Sequence, residues 1–167
     1  MCKGDDLIKK YNKLNIKNFL RVILLFIICG NIYYFIEICY RGYSHWSMFI
    51  LAGFCAVCFI DTPNNIYSFE MDYLKQISIS TVLCTCAEGL TGYIVNVWLS
   101  LNVWDYSDLP FTFFFGQCNL LFIFIWFILC GIGIFICDAY NYYICHIEPC
   151  PYYKINGKLF FKMKERN

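Results

Sequence analysis

The chain contains a long apolar stretch, NLLFIFIWFILCGIGIFICDAYNYY, at Asn119–Tyr143. A helix needs about 20 apolar residues to cross the hydrocarbon core of a bilayer, so we expect a spanning helix over about 119–140, with its last turns at the interface. Three more candidates precede it in the chain: FLRVILLFIICGNIYYFIEIC at Phe19–Cys39, HWSMFILAGFCAVCFI at His45–Ile60, and ISISTVLCTCAEGLTGYIVNVWLSL at Ile77–Leu101. The sequence therefore predicts an all-α fold, a polytopic bundle of four transmembrane helices.

The composition of the whole chain agrees with a membrane protein. Of its 167 residues, 60% are hydrophobic and 15% are charged, and the mean hydropathy is +0.54. Ordinary soluble domains carry about 25% charged residues, and a soluble core of this size could not hide so much apolar surface. The net charge of +1, with no basic stripe, excludes a nucleic-acid partner from our expectations. The expected partner is the lipid bilayer.

The second candidate span is short, because sixteen residues cover only about 24 Å of helix, and a re-entrant hairpin is the alternative. The basic residues favour four spans and also predict how the chain is oriented. With four spans, twelve of the thirteen Lys and Arg fall on one side of the membrane, and Arg41 is the exception. The positive-inside rule then places both termini in the cytoplasm. We expect a basic cytoplasmic segment at 1–18, a membrane domain at 19–143 and a basic cytoplasmic tail at 144–167.

Two connecting segments carry turn chemistry. The sequence DTPNN at Asp61–Asn65 separates the second and third candidates, and we expect Pro63 to stop the helix there. In the tail, Asn156–Gly157 is flanked by apolar residues, which favours a short hairpin. The alternative for the tail is an interfacial amphipathic segment held by its lysines.

The cysteines are predicted to serve packing. Of the twelve, nine lie in or at the edges of apolar runs, where a free cysteine behaves as a small hydrophobe. The pair Cys55 and Cys58 has the spacing of a metal or redox site but lies inside a predicted span, and Cys145, His146 and Cys150 fall short of a four-ligand zinc site. We therefore expect no metal site and no cofactor.

The third span carries an ionisable residue, Glu88, near its middle. A carboxylate in hydrocarbon costs at least a few kcal/mol, so it should face the bundle. The small and polar residues of this helix share its face at spacings of three and four: Thr81, Cys84, Thr85, Glu88, Thr91, Gly92, Val95 and Asn96. One interpretation is an intramembrane polar site on a proton, cation or substrate path, formed by Glu88, Thr91, Gly92 and Asn96. The other is a neutral carboxyl that hydrogen-bonds to another helix for packing.

A second group of polar residues is predicted at the outer face. Glu37 and Arg41 are spaced i,i+4 in the favourable order for an ion pair. The sequence WDYSDLP at Trp104–Pro110 returns to the same side and can supply acceptors for Arg41. The predicted outer cluster comprises Glu37, Arg41, His45, Trp104, Asp105, Tyr106, Ser107 and Asp108. It is either a specific cap or gate, or an interfacial loop with an ordinary aromatic belt.

The loop also resembles a known family. The sequence WDYSDLPF at Trp104–Phe111, followed by Gly116 and Gln117, is similar to the W-D-Y-S-x-x-P-F-N motif and later glycine of the ABC-transporter type IV family of bacterial membrane proteins. Thr112 stands where that motif has Asn. The spacing E-x-x-T-G-x-x-V-N-x-W-L over 88–99 is also similar, and the resemblance covers about residues 20–140. It implies a multi-pass permease component of the bacterial cytoplasmic membrane.

Three functions follow from these observations. The first is a permease-like transport subunit, which works as a homo-oligomer or with a separate nucleotide-binding subunit, because the chain carries no Walker A sequence. The alternative is a non-transporting scaffold, an assembly factor or a holin-like protein. An intramembrane enzyme ranks last, because the two histidines are predicted on opposite faces of the membrane and no HExxH motif is present. We therefore expect no catalytic residues.

Overall fold

The computed structural model describes residues 16–67 and 69–166. These residues form four helices: α1 at Ile16–Arg41, α2 at Trp46–Ile66, α3 at Tyr73–Trp98 and α4 at Leu120–Ile144. Each is long and apolar enough to cross a membrane, so the prediction of four helices with the length and composition of membrane spans is confirmed. The predicted basic segment 1–18 lies almost entirely outside the described residues.

Helix α2 is longer than expected, and its predicted end is wrong. The helix passes through Pro63 and ends at Ile66. Its middle part, Cys55–Asp61, is π-helical, and the backbone N–H and the hydroxyl of Thr62 both donate to the Val57 carbonyl. Pro63 follows this widened turn in the first turn of the segment Thr62–Ile66, where a missing N–H disturbs a helix least. At 21 residues, α2 is long enough to span.

Helices α3 and α4 begin at side chains that cap them. Asn119 accepts a hydrogen bond from the backbone N–H of Leu121 at 2.8 Å, and Asp72 accepts one from Leu74 at 3.0 Å. Such caps satisfy N–H groups that have no partner within the helix. Helix α3 therefore starts four residues earlier than predicted. It finishes in a π-helical turn at Tyr93–Trp98, and α4 finishes in another at Tyr140–Ile144.

The prediction of an all-α chain is incomplete, because two small antiparallel sheets are present. Strands β1 (Thr112–Phe113) and β2 (Cys118–Asn119) pair within the connection from α3 to α4. Strands β3 (Tyr152–Ile155) and β4 (Lys158–Lys162) form the tail hairpin. Its two turn residues, Asn156 and Gly157, both have positive φ, at 50° and 74°, as the tight hairpin turn requires. The predicted hairpin is confirmed.

The helices pack through small residues and leave apolar side chains outside. A Cβ at Gly30 would lie 2.8 Å from the Phe49 ring, and one at Gly53 would lie 2.9 Å from Phe26, so α1 and α2 approach closely at two levels. The thiols of Cys84 and Cys130 lie 3.8 Å apart where α3 packs on α4. In α1 the most apolar 18-residue window is only 11% buried, which suits a surface that faces lipid.

Two ends of the bundle are distinguished below. The loop end carries residues 42–45 and the long connection 99–119. The hairpin end carries residues 67–72 and the segment 145–166. These names describe the fold and do not assign a side of the membrane.

Candidate functional site

Glu88 is buried in the half of the bundle nearer the loop end. Only 1% of the surface of this residue is exposed. The Tyr106 hydroxyl donates to one carboxyl oxygen at 3.2 Å, and the Trp126 indole N–H donates to the other at 2.9 Å. Within residues 16–67 and 69–166, no basic side chain forms an ion pair with Glu88. Two neutral donors from two different parts of the chain therefore hold this carboxyl.

Aromatic stacking fixes both donors. The Tyr106 ring stacks on Phe122 with ring centroids 4.2 Å apart and planes 14° apart. The Trp126 ring stacks on Tyr33 of α1, at 5.6 Å and 7°. Burial and the nearby Glu88 raise the pKa of Tyr106 far above its usual range, so its hydroxyl keeps its proton and remains a donor. The geometry around Glu88 is preorganised by rings rather than by charges.

A pocket of about 330 Å³ lies between α1 and α4 and beside the long loop. The residues that line it are Tyr33, Ile36, Glu37, Tyr40, Arg41, Tyr43, Trp104, Asp105, Tyr106, Phe122, Ile125 and Leu129. Most of this lining is aromatic or aliphatic, with three charged side chains near the loop end. Tyr106 belongs to both features, since its ring lines the pocket and its hydroxyl contacts Glu88.

The predicted ion pair is present at the mouth of the pocket. Arg41 and Glu37 approach to 2.8 Å, and Ser44 donates a hydrogen bond to the other Glu37 oxygen. Arg41 also donates to the Val103 carbonyl at 2.9 Å. The acceptor is therefore a backbone carbonyl one residue before the WDYSDLP stretch that was predicted to supply it.

The two loop aspartates have different surroundings. The Oδ1 atom of Asp105 accepts hydrogen bonds from the backbone N–H of Ser107 at 2.8 Å and from its hydroxyl at 2.6 Å. These bonds lower the pKa of Asp105 below its usual value, so this carboxylate is charged where it lines the pocket. Asp108 is exposed and is not among the residues that line the pocket.

Two of the remaining residues of the predicted intramembrane site, Gly92 and Asn96, contact the loop rather than Glu88. Asn96 donates to the Gln117 side chain at 2.7 Å and accepts from the Val103 N–H at 2.7 Å. A Cβ at Gly92 would lie 2.6 Å from Gln117 and 2.9 Å from Trp104. Gly92 and Asn96 therefore let the loop seat against α3. Thr91 is half-buried.

Two residues of the loop motif explain its shape. Gly116 has φ +78°, and a Cβ there would lie 2.4 Å from the Ser107 hydroxyl and 2.5 Å from Asp105. Only glycine fits both restrictions without strain. Thr112 donates to the Tyr106 carbonyl at 2.7 Å and accepts from Asn119 at 2.7 Å. His45, predicted in this cluster, instead caps α2, where its ring nitrogen accepts from the Ser47 N–H at 3.3 Å.

A second polar cluster, at the hairpin end, was missed by sequence analysis. Arg21 donates to both oxygens of Asp61, at 3.1 and 2.9 Å, and to Asn141 at 2.7 Å. Asn141 donates in turn to Asp61 at 3.0 Å and to Glu148 at 2.8 Å. The second part of the cluster centres on Asp138, which accepts hydrogen bonds from Asn64 and from the Tyr153 hydroxyl, both at 2.7 Å. We call these seven residues the hairpin-end cluster.

This cluster holds three buried carboxyl groups and one arginine among the residues described. The carboxyls of Asp138 and Glu148 face each other, and the Oε2 atom of Glu148 has no hydrogen-bond donor in the described part of the chain. Burial, with repulsion from Asp138 and Asp61, raises the pKa of Glu148 to about 9. Glu148 is therefore neutral at pH 7. The sequence signal for this cluster was the presence of charged residues inside or next to the predicted spans, at positions 21, 61 and 138.

Comparison of the chain with protein-family models, with curated proteins and with solved structures finds no match. The resemblance of the loop to the ABC-transporter type IV family therefore stays a prediction from residues 88–99 and 104–117.

Proposed function

We propose that the protein is a permease-like transport subunit of the bacterial cytoplasmic membrane, with its loop end outside and both termini in the cytoplasm. The distribution of Lys and Arg supports this orientation, since a four-span topology puts twelve of the thirteen on one side of the membrane. The observation that carries the proposal is the position of Tyr106, whose ring lines the pocket and whose hydroxyl is bonded to Glu88.

The proposed mechanism uses Tyr106 as the connection between solute and carboxyl. A solute in the pocket presses on the part of the Tyr106 ring that Phe122 does not cover. Any shift of this ring changes the hydrogen bond to Glu88, because the hydroxyl and the ring move together. When this hydrogen bond breaks, Glu88 keeps one donor, Trp126, and its other oxygen becomes available to a cationic group. Occupancy of the pocket and the state of Glu88 are thereby coupled.

Four helices give too little material for a wide pathway, so the working unit requires partners. The exposed apolar surface of α1 offers room for a second copy. A separate nucleotide-binding subunit would supply the energy, since the chain carries no Walker A sequence. Purification from native membranes in a mild detergent, followed by mass spectrometry, would distinguish a bound ATPase from a homo-oligomer.

The test of transport is a Glu88→Gln variant in proteoliposomes. We would measure uptake of neutral, anionic and cationic labelled solutes, with any co-purified ATPase included. Glutamine keeps one of the two acceptor oxygens and the size of the side chain but cannot take up a proton or bind a cation as a carboxylate. We expect uptake to fall by at least about tenfold. Asp108→Asn is the matched control, because it removes an exposed carboxylate outside the pocket, and it should transport normally.

The alternative, a non-transporting scaffold, is favoured by one observation. Both oxygens of Glu88 are hydrogen-bonded to other parts of the chain, as a purely structural carboxyl would be. In that case neither the wild type nor Glu88→Gln would give uptake above that of protein-free liposomes, and Glu88→Ala would lower the yield of assembled protein. Unchanged uptake in Glu88→Gln would reject the transport role of this residue.

A further inference from the structure

The shape of the pocket indicates an elongated ligand. It extends along α4 from Phe122 to Leu129, about 10 Å at 1.5 Å per residue. Its volume of about 330 Å³ is at the lower end for small-molecule sites. This space accommodates a small head group and part of one alkyl chain.

One side of the pocket is lined by aliphatic residues that remain exposed. Ile36 of α1 and Ile125 of α4 line it and remain 43% and 38% exposed. Both belong to helices whose apolar surfaces are predicted to face lipid. An apolar chain could leave the pocket between these two residues and continue into the hydrocarbon without passing through water.

The charges near the mouth favour a cation. Glu37, Asp105 and Arg41 sum to one net negative charge. Arg41 is already engaged, because it pairs with Glu37, donates to the Val103 carbonyl and lies 4.7 Å from the Tyr43 ring centre. In Asp105 the bonds from Ser107 go to Oδ1, and among the described residues Oδ2 accepts none. The carboxylate is therefore available, whereas the arginine is not.

Aromatic rings reinforce this preference. Tyr40 lines the pocket and is 78% exposed, so the ring is accessible to a ligand. Tyr33 and Tyr106 add two more rings deeper in the pocket. The faces of aromatic rings attract ammonium groups by about 0.5–1 kcal/mol at exposed sites and more when water is excluded.

We propose that this pocket binds an amphiphilic ammonium compound, with the head group against Asp105 and the tyrosine rings and the alkyl chain between Ile36 and Ile125. The proposal rests on the proposed function in that it names the substrate class of the same site. Two sources share this chemistry: a free single-chain ammonium amphiphile, and the head group of an aminophospholipid with one of its chains.

The binding test uses quenching of tryptophan fluorescence by bromine. The chain has four tryptophans, and Trp46 and Trp98 are 62% and 74% exposed. The double replacement W46F/W98F leaves Trp104, which lines the pocket, and Trp126, which stacks on Tyr33. This full-length protein, in uncharged dodecyl maltoside micelles, is titrated with 12-bromododecyl-trimethylammonium and, in parallel, with 12-bromododecyl sulfonate.

We expect saturable quenching by the ammonium probe and weak, linear quenching by the sulfonate. In the same background, Asp105→Asn should weaken the apparent affinity for the ammonium probe about threefold to tenfold. Asparagine retains the Oδ1 acceptor for Ser107, so the loop should keep its fold, which thermal unfolding would check. Asp108→Asn should leave the affinity unchanged.

Two further arms identify the source of the ligand. Phosphatidylethanolamine with brominated acyl chains is added to the micelles and compared with brominated phosphatidylglycerol. Saturable quenching by phosphatidylethanolamine alone assigns the lipid head group, and saturation by the single-chain probe alone assigns a free amphiphile. Both outcomes support the proposal.

Three results would overturn it: equal saturation by the sulfonate, no saturable quenching by any ammonium probe, or an Asp105→Asn affinity equal to the wild-type value. Failure of the proposed function has a different signature. Saturable ammonium binding without uptake into proteoliposomes would reject transport and retain this site. Glu88-dependent uptake without ammonium binding would do the reverse.

Discussion

At the hairpin end, Asp61 receives two hydrogen bonds from Arg21, whereas at the loop end Glu88 receives its two hydrogen bonds from Tyr106 and Trp126. Both carboxyls are 1% exposed. The hairpin-end cluster balances buried charge with a cation, and the strands of the tail complete it. The Glu88 site relies on neutral donors and lies next to a pocket. A carboxyl with a paired cation is suited to holding helices together, and one with neutral partners is easier to change during function.

The largest expected effect is at Arg21. In Arg21→Met, Asp61 loses its charged partner while it stays buried, and removing one partner of a buried ion pair typically costs about 3–5 kcal/mol. The free energy of unfolding would be measured by SDS titration in mixed micelles. Arg41→Met is the matched control, since its ion pair with Glu37 is partly exposed, and it should cost about 1 kcal/mol. Equal costs would remove the proposed contrast between the two ends.

The next effect concerns the shape of the loop. In Gly116→Ala, the new methyl group meets polar atoms of Ser107 and Asp105 at a positive φ, and we expect a loss of about 2–3 kcal/mol. Gly42 has a similar φ of +80°, but nothing lies within 4 Å of a Cβ there. Gly42→Ala therefore isolates the backbone strain, about 1 kcal/mol. A thermal unfolding series would separate the two; identical losses would show that the contact with Asp105 does not matter.

A smaller effect distinguishes the two donors to Glu88. Trp126→Phe removes the shorter bond, from a ring that is nearly fully buried, and should cost about 1–2 kcal/mol. Tyr106→Phe removes the longer bond from a half-buried ring and should cost less. A double-mutant cycle with Glu88→Gln would measure the coupling of each donor to the carboxyl. Zero coupling in both cycles would mean that these bonds contribute nothing to stability.

The last expected effect is a gradual one, the pH dependence of the hairpin-end cluster. The pKa of Glu148 is raised to about 9 in the folded protein, against 4.5 unfolded, so above pH 4.5 the folded state keeps a proton that the unfolded state releases. Stability contributed by this proton is complete below pH 4.5 and is lost as the pH rises toward 9. The slope is at most about 1.4 kcal/mol per pH unit.

Unfolding measured at pH 6, 7, 8 and 9 would test this dependence. Glu148→Gln keeps an acceptor for Asn141 without the titration, so its slope should be flatter than that of the wild type. Glu70→Gln is the control, because Glu70 is exposed and its pKa is lowered by Lys154 and Tyr152. A wild-type slope in Glu148→Gln would assign the proton to another group.

Local patterns of the sequence predicted those features that depend on neighbours in the chain. The apolar runs located four helices, the i,i+4 spacing located the Glu37–Arg41 pair, and the Asn156–Gly157 turn located the hairpin. The hairpin-end cluster could not be found in this way, because Arg21 meets Asp61 and Asn141 across 40 and 120 positions. Sequence spacing carries no information on such distant contacts, and Arg21 was counted only as a basic charge.

The same limit applied to the loop. The WDYSDLP stretch was predicted to supply acceptors for Arg41, but the path of the loop places the Val103 carbonyl there instead. That path depends on Gly116 and on contacts with Gln117 and Asn96. These are packing constraints, and a charge count cannot reveal them.

The docking of the tail hairpin has a consequence for biogenesis. Its strand β3 bonds to Asp138 through Tyr153 and to Glu70 through Lys154, so it joins the inter-helix segment 67–72 to the end of α4. The ribosome synthesises this hairpin after all four spans, so Asp138 has no hydrogen bond from the Tyr153 hydroxyl until the hairpin has been made. Insertion and completion are thus separate events, and a chain that loses its last residues would carry an unfinished polar face that membrane proteases could recognise.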